Sequence, residues 1–374
     1  MATQRCSMNS MELEIEKVAK DAGADLVGFT DRARLADAPP SGDLTYVLPS
    51  AQSAIALAVS LDQEAAERYI VKEDLWAFNE SHRRSYQLIE DASLAIQEYL
   101  EARGHEIATP YPNFEYREET RTRDMVPPLS HKYVCMAAGV GWIGWSGNLL
   151  TREYGALVTI GSVVTSAELT PSPMVEEDWC SNCKICVATC PTHYMPKQEE
   201  DVALIGGTSS HYSHRRSTMR CTVSCGGCNN VRKETSKWST WSPRTMPNMP
   251  GFRESDEAFD ERCDEDVATG DPKDFRLQSM VGSGVTSVNS WEDVQRNMSS
   301  SLTVLTCSLC QVVCTPGLDS RKKNYRALVD SGRIEEDDPR LSHPTGRVEN
   351  WVNPTLESIV AEMTPAAAAE PDTD

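Results

Sequence analysis

Eleven of the thirteen cysteines fall between Cys180 and Cys314. The densest run is Cys180-Ser-Asn-Cys183-Lys-Ile-Cys186-Val-Ala-Thr-Cys190-Pro191. Thiolates at this spacing wrap a loop around one iron–sulfur cubane, so that backbone N–H groups can point at the sulfurs. The fourth cysteine is carried away by a short turn, which Pro191 ends, and serves a second cluster. Cys307-Ser-Leu-Cys310-Gln-Val-Val-Cys314-Thr-Pro316 repeats the C-x2-C-x3-C part, with Thr315 intervening before the proline. Crossed ligation then assigns Cys180, Cys183, Cys186 and Cys314 to cluster one. Cluster two takes Cys190, Cys307 and Cys310 and lacks one ligand, for which Cys221, Cys225, Cys228 and Cys263 are candidates. Zinc fits the main groups poorly, because it takes four thiolates and not seven or eight. Cys225-Gly-Gly-Cys228 stays open between a zinc knuckle, a spare thiol pair and cluster ligation. Cys6, Cys135 and Cys263 read as free thiols, with Cys135 in the core.

The first run matches the full C-x2-C-x2-C-x3-C-P pattern of bacterial ferredoxins. The rest of the chain suits such chemistry. At 374 residues and 40% apolar content it can build a real core. That core is expected mainly from the first 170 residues, since the middle and the tail are polar. No apolar leader region and no run of about 18 apolar residues is evident. A reducing cytoplasm is therefore expected, where clustered cysteines favour metal over disulfides. The net charge of -20 repels phosphate backbones, so a nucleic-acid partner is not expected. Arg83-Arg84 and His214-Arg215-Arg216 are short basic runs and read as ordinary surface charge.

The elements that must position these thiols follow from periodicity. Met11 to Ala22 reads as an amphipathic helix, closed by Gly23. Leu26 to Phe29 and Ser53 to Val59 read as strands. Ser85 to Arg103 is a second helix, ended by Gly104. Ala156 to Ile160 and Ser162 to Thr165 are β-rich. Together they predict a layered α/β domain. Residues 192–300 are expected to be loop-rich, with a short helix starting near Ser290-Trp291-Glu292-Asp293. Gly139-Val-Gly141-Trp-Ile-Gly144 matches a dinucleotide-binding pattern, but Ser130 to Ala138 before it reads as helix, so a Rossmann site is rejected.

The segment Ala137-Ala-Gly-Val-Gly-Trp-Ile-Gly-Trp-Ser-Gly-Asn-Leu-Leu-Thr-Arg-Glu-Tyr-Gly155 resembles one shared by epoxyqueuosine reductases and corrinoid reductive dehalogenases. The resemblance extends over roughly residues 10–320. Thr165-Ser-Ala-Glu-Leu169 occupies that family's turn, with Ser166 where aspartate is usual. It implies an α+β fold, in which a nitroreductase-like α/β core holds a base-off cobalamin against a ferredoxin-like module with two [4Fe–4S] clusters. No D-x-H-x-x-G signature is present, which fits an open lower face on cobalt. Arg220-Cys221-Thr222 matches the place of the missing cluster ligand, making it Cys221. Trp145, Ser146, Asn148, Leu149, Thr222, Ser224 and Ser308 would lie beside the cofactors. Tyr86 matches the dehalogenases' proton-donating tyrosine. The reductases' aspartate aligns with Met125, leaving Asp124 one residue away.

These readings combine into three regions. Residues 1–173 form the first part of the corrinoid core. Residues 174–325 form the iron–sulfur module, with a polar insertion at about 225–300, and 326–374 form an acidic tail. The expected activity is reductive dehalogenation of a small organic substrate, with electrons from an external donor such as ferredoxin or flavodoxin. The alternatives are an epoxyqueuosine-reductase-like deoxygenation, or an electron-transfer protein without its own substrate.

Overall fold

A computed structural model describes residues 10–110, 116–120, 126–225, 237–242, 254–269, 305–335 and 337–342. The expected helix near Ser290 lies outside them. The centre is a four-stranded antiparallel sheet of β1 (Leu26–Asp31), β2 (Ser53–Ser60), β3 (Ile107–Ala108) and β6 (Val158–Thr165), in the order β1-β2-β6-β3. Helices α1 (Ser10–Asp21) and α3 (Trp76–Glu101) cover one face; α2 (Gln63–Ile70) precedes α3. Helix α4 (His131–Ala137) covers the other, followed by the small hairpin β4 (Trp142–Ile143) and β5 (Leu149–Leu150).

The period of two explains why both faces of β2 are covered. Ile55, Leu57 and Val59 point to α1 and α3, and pack with Ile15, Ile89 and Ile96. Ala54, Ala56 and Ala58 point to α4, and pack with Val134, Cys135 and Ala138. The small side chains let α4 lie close to the strand. Cys135 is fully buried there.

Two elements of this layered part differ from the sequence expectation. Helix α3 begins nine residues before Ser85, at Trp76. The Asp74 carboxylate starts it by accepting from the Trp76 and Ala77 N–H groups at 2.9 and 3.0 Å. The two β-rich runs after Ala156 are one strand, β6. Gly161 at its middle faces Ile89 of α3, where a Cβ would collide with that side chain.

The region after Cys180 contains α5 (Ile185–Ala188), the hairpin β7 (Glu200–Ile205) and β8 (Thr208–Ser213), and α6 (Met219–Cys225). It continues with α7 (Asp256–Thr269), α8 (Leu309–Val312) and α9 (Leu318–Asp330). The β7–β8 hairpin falls where loop was expected. Its apolar residues do not alternate with polar ones: Ala203 and Ile205 are buried, but Val202 and Leu204 are exposed. A second core joins the two halves of the chain. Tyr69, Ile70 and Phe78 pack there with Trp241, Leu309, Val312, Leu328, Ile334 and Leu341. The core is thus shared more widely than the first 170 residues. No described helix is long and apolar enough to cross a membrane.

His131 on α4 is buried, with Nδ1 3.0 Å from the Ser162 hydroxyl. Burial pushes it down to about 4, so the neutral ring is the folded form. The unfolded chain takes up this proton near pH 6.5 and the folded chain only near 4. Its contribution is therefore complete above pH 6.5 and is lost as pH falls toward 4. In denaturant unfolding across that window, wild type should lose up to about 3 kcal/mol more than His131→Gln. Parallel stability curves would reject this account.

Candidate functional site

Two groups of thiols lie between the sheet and the C-terminal helices. Cys180, Cys183, Cys186 and Cys314 line one cavity of about 330 Å³, including its open mouth. Trp145, Lys184 and Arg321 complete its wall. Asn182 and Lys184 have φ of 52° and 59°, left-handed conformations that curl the loop around its thiols. The Trp145 N–H donates to Cys180 Sγ at 3.3 Å. Burial drives the Cys186 thiol up, and pushes Cys314 up to about 12 against the pull of Arg321. Thiols this buried keep their protons at neutral pH unless a metal cation replaces them, which suits iron ligation.

Arg321 holds this group together. It is 4% exposed, and its guanidinium donates to the carbonyls of Thr315 and Trp179 and to the Ser181 hydroxyl, at 2.8, 3.0 and 3.0 Å. Thr315, the irregular residue after the last cysteine, has a purpose here. Its hydroxyl lies 2.7 Å from the Ser320 hydroxyl and accepts from Asn324 at 3.1 Å, which fastens α9 to the cysteine loop. On the other side Ala156 N–H donates to the Cys314 carbonyl at 2.8 Å. Gly155 beside it has φ of 59°, and a Cβ there would collide with that carbonyl.

The second group collects Cys190, Cys221, Cys225, Cys307 and Cys310. Tyr194 N–H donates to Cys190 Sγ at 3.3 Å, and the Asn148 amide reaches Cys310 Sγ at 3.6 Å. Ser308, with φ of 46°, turns the chain between Cys307 and α8. The Cys221 and Cys225 sulfurs are 3.9 Å apart, and Cys225 lies against the Cys307 thiol. Burial, then Cys225 and Cys190, push Cys310 up to about 11. Among the described residues no three His, Cys, Asp or Glu side chains close to the spacing of a single bound ion, so the thiols stand as two looser groups.

Cations and unpartnered polar atoms surround this second group. Burial pushes Lys132 down to about 7; Arg215 adds to the shift, and Cys310 and Cys221 oppose it. His82 on α3 is driven down to about 4 by burial, against Gln311 and Cys225. Among the described residues, Arg215 Nε, Trp145 Nε1 and Ser224 Oγ are buried without a hydrogen-bond partner, and the Gln311 side chain near the buried His82 ring falls outside hydrogen-bonding geometry.

Of the expected cofactor residues, Trp145, Ser146 and Asn148 stand between the two thiol groups. Trp145 is 4% exposed, under the Lys184 ammonium. Ser146 Oγ accepts from Asn148 N–H at 3.3 Å. Leu149 is buried in the α4-side core. Ser224 is buried, its carbonyl accepting from the Thr306 hydroxyl at 2.6 Å. Thr222 lies on α6, but its side chain is not among those described. Tyr86 is half-buried on α3 and helps burial raise Tyr116 to about 12. Asp124 lies outside the described residues. Sequence reasoning missed Lys132, His82, Tyr116 and Arg321. Single charged or aromatic residues give no periodic signal, and their importance comes from long-range contact.

No protein-family model matches the chain. An epoxyqueuosine reductase of Gloeobacter violaceus is 27% identical over 183 residues, 48% of this chain and 52% of that protein. The chain spans about half or less of the length of the first curated relatives it matches. A crystal structure of epoxyqueuosine reductase with a modified tRNA stem loop is similar over 85% of this chain and 80% of that one, at 14% identity and a TM-score of 0.41. A catabolic reductive dehalogenase in complex with 3-bromo-4-hydroxybenzoic acid is similar over 53% of this chain and 27% of that one, at 15% identity and a TM-score of 0.40. In sequence the chain is thus similar to epoxyqueuosine reductases.

This corrects the expectation of a small organic substrate and no nucleic-acid partner. What overturns it is the name that the curated relatives carry, epoxyqueuosine reductase. The inference from charge failed for a physical reason. A net charge of -20 sums the whole chain, including the acidic α7. A phosphate senses only charges within a Debye length of about 8–10 Å.

Gly155→Ala tests how the second cysteine run is seated. The strained φ and the blocked Cys314 carbonyl should cost about 1–3 kcal/mol in denaturant unfolding. Iron bound after reconstitution should fall with it. Unchanged stability and iron would show that Cys314 does not depend on this contact.

Proposed function

We propose that this chain is a cobalamin- and iron–sulfur-dependent oxidoreductase that reductively deoxygenates an epoxyqueuosine-type nucleoside in tRNA. The observation that carries the reading is the pair of buried thiol groups in a chain 27% identical over 183 residues to an epoxyqueuosine reductase. The dehalogenation expected from sequence gives way, because the curated relatives carry the other name.

In this reading the layered core is nitroreductase-like and the cysteine region is ferredoxin-like, divided near residues 173 and 325. Cys180, Cys183, Cys186 and Cys314 hold one [4Fe–4S] cluster. Cys190, Cys307 and Cys310 hold the other, with a ligand from α6. The thiolate donor set and the backbone N–H groups aimed at Cys180 and Cys190 support iron.

The buried polar atoms left unpartnered at His82, Arg215 and Ser224 support a polar-edged cofactor beside the second group. A corrin carries such an amide-rich edge. Ser146, Asn148, Leu149, Thr222, Ser224 and Ser308 would hold it, and Trp145 would shield it from water. When bound, it supplies low-potential reducing chemistry that no side chain offers.

The chain's own task is to position the substrate and deliver protons. Removing the epoxide oxygen takes two electrons and two protons and releases water. Tyr86 and Asp124 are the proposed proton donors. Arg83 and Arg84 are exposed on α3 within one turn of Tyr86, and are the cations a tRNA phosphate would meet.

Anaerobically reconstituted protein, supplied with cobalamin and a chemical reductant, should convert an epoxyqueuosine-bearing anticodon stem loop to a nucleoside one oxygen lighter by mass spectrometry. An unchanged nucleoside, with iron and cobalamin bound, would sink the assignment. Tyr86→Phe should slow that conversion at least about 10²-fold while keeping its iron. Equal rates would remove Tyr86 as a donor.

A further inference from the structure

Five thiols stand at the second group, one more than a cubane takes. We propose that Cys221 and Cys225 are interchangeable ligands of the second cluster, so that it exists in two ligation forms. This rests on the iron–sulfur reading above.

Helix geometry brings the two together. They are four residues apart on α6, so both project from one face of the helix. Their sulfurs are 3.9 Å apart. Cys221 lies within electrostatic reach of Cys190 and Cys310, and Cys225 lies within reach of Cys310 and against Cys307. Each member of the pair therefore stands beside the other three thiols. This contact turns Cys225 toward the second group.

The backbone fixes the approach. Thr306 N–H donates to the Cys225 carbonyl at 3.0 Å, and the Thr306 hydroxyl donates to the Ser224 carbonyl at 2.6 Å. Thr306 directly precedes Cys307. The end of α6 is thus tied to the start of the second cysteine run, and Cys225 cannot drift from the cluster without breaking both bonds.

The exchange is balanced without a co-reactant. One Fe–S bond breaks as the other forms, and the proton of the incoming thiol passes to the leaving thiolate. No electron is transferred. The idle thiol stays beside the cluster as a hydrogen-bond donor, so each form has its own electronic environment.

The test uses the full chain reconstituted anaerobically with ferrous iron and sulfide. Cys221→Ala, Cys225→Ala and the double variant are compared by iron content and by electron paramagnetic resonance of the reduced protein. Far-UV circular dichroism checks folding, and a serine variant replaces any alanine variant that unfolds. Each single variant should keep about eight irons per chain, and the double variant should fall to about four. The two single variants should give different spectra for the second cluster. The proposal is overturned if either single variant alone falls to about four irons, or if the double variant keeps about eight. If the unsubstituted chain takes up no iron, the iron–sulfur reading itself fails and the exchange goes with it.

Discussion

The buried guanidinium of Arg321 ties together two pieces of chain that sequence separates widely. Cys183 and Cys314 are far apart along the chain, and closing so long a loop costs entropy that local structure cannot return. Arg321 offsets that cost with charge-assisted hydrogen bonds to the Trp179 carbonyl, the Ser181 hydroxyl and the Thr315 carbonyl. Its charge also opposes the burial that raises the Cys314 thiol. The same group thus sets the geometry of the cavity and makes thiolate easier to form within it.

The rest of the fold supplies rigid surfaces for that junction. The sheet presents large side chains to α1 and α3 and alanines to α4. The close seat of α4 carries Lys132 to the edge of the second thiol group. From the other side, the second core holds Cys307 in place. Tyr69 donates to the Cys307 carbonyl at 3.0 Å, and Trp241 Nε1 donates back to the Tyr69 carbonyl at 3.0 Å. Loss of either aromatic would loosen the second cysteine run as well as open a cavity.

The unpartnered polar atoms around the second group are best understood as readiness for a ligand. Burying such groups unpaired costs about 1–3 kcal/mol each. Several gather near Cys221, Cys225 and Cys310, at His82, Arg215 and Ser224. Strain of this kind concentrates at functional sites, where a bound group returns the cost.

By itself, the sequence determined what depends on neighbours along the chain. The spacing of the two cysteine runs, the α1 helix, the β1 and β2 strands and the helix before Gly139 are all local patterns, and the structure contains them. What only the tertiary structure decided depends on distance in space. Asp74 extends α3 by capping it, and Ala203 and Ile205 are buried through packing rather than alternation. Thr315 looked irregular beside its cysteine until α9 supplied Ser320 and Asn324 as partners. Net charge misled for the same reason, since a total says nothing of where charges stand. Which α6 thiol approaches the second group also lay beyond spacing, because a helix turn brings two cysteines to one place.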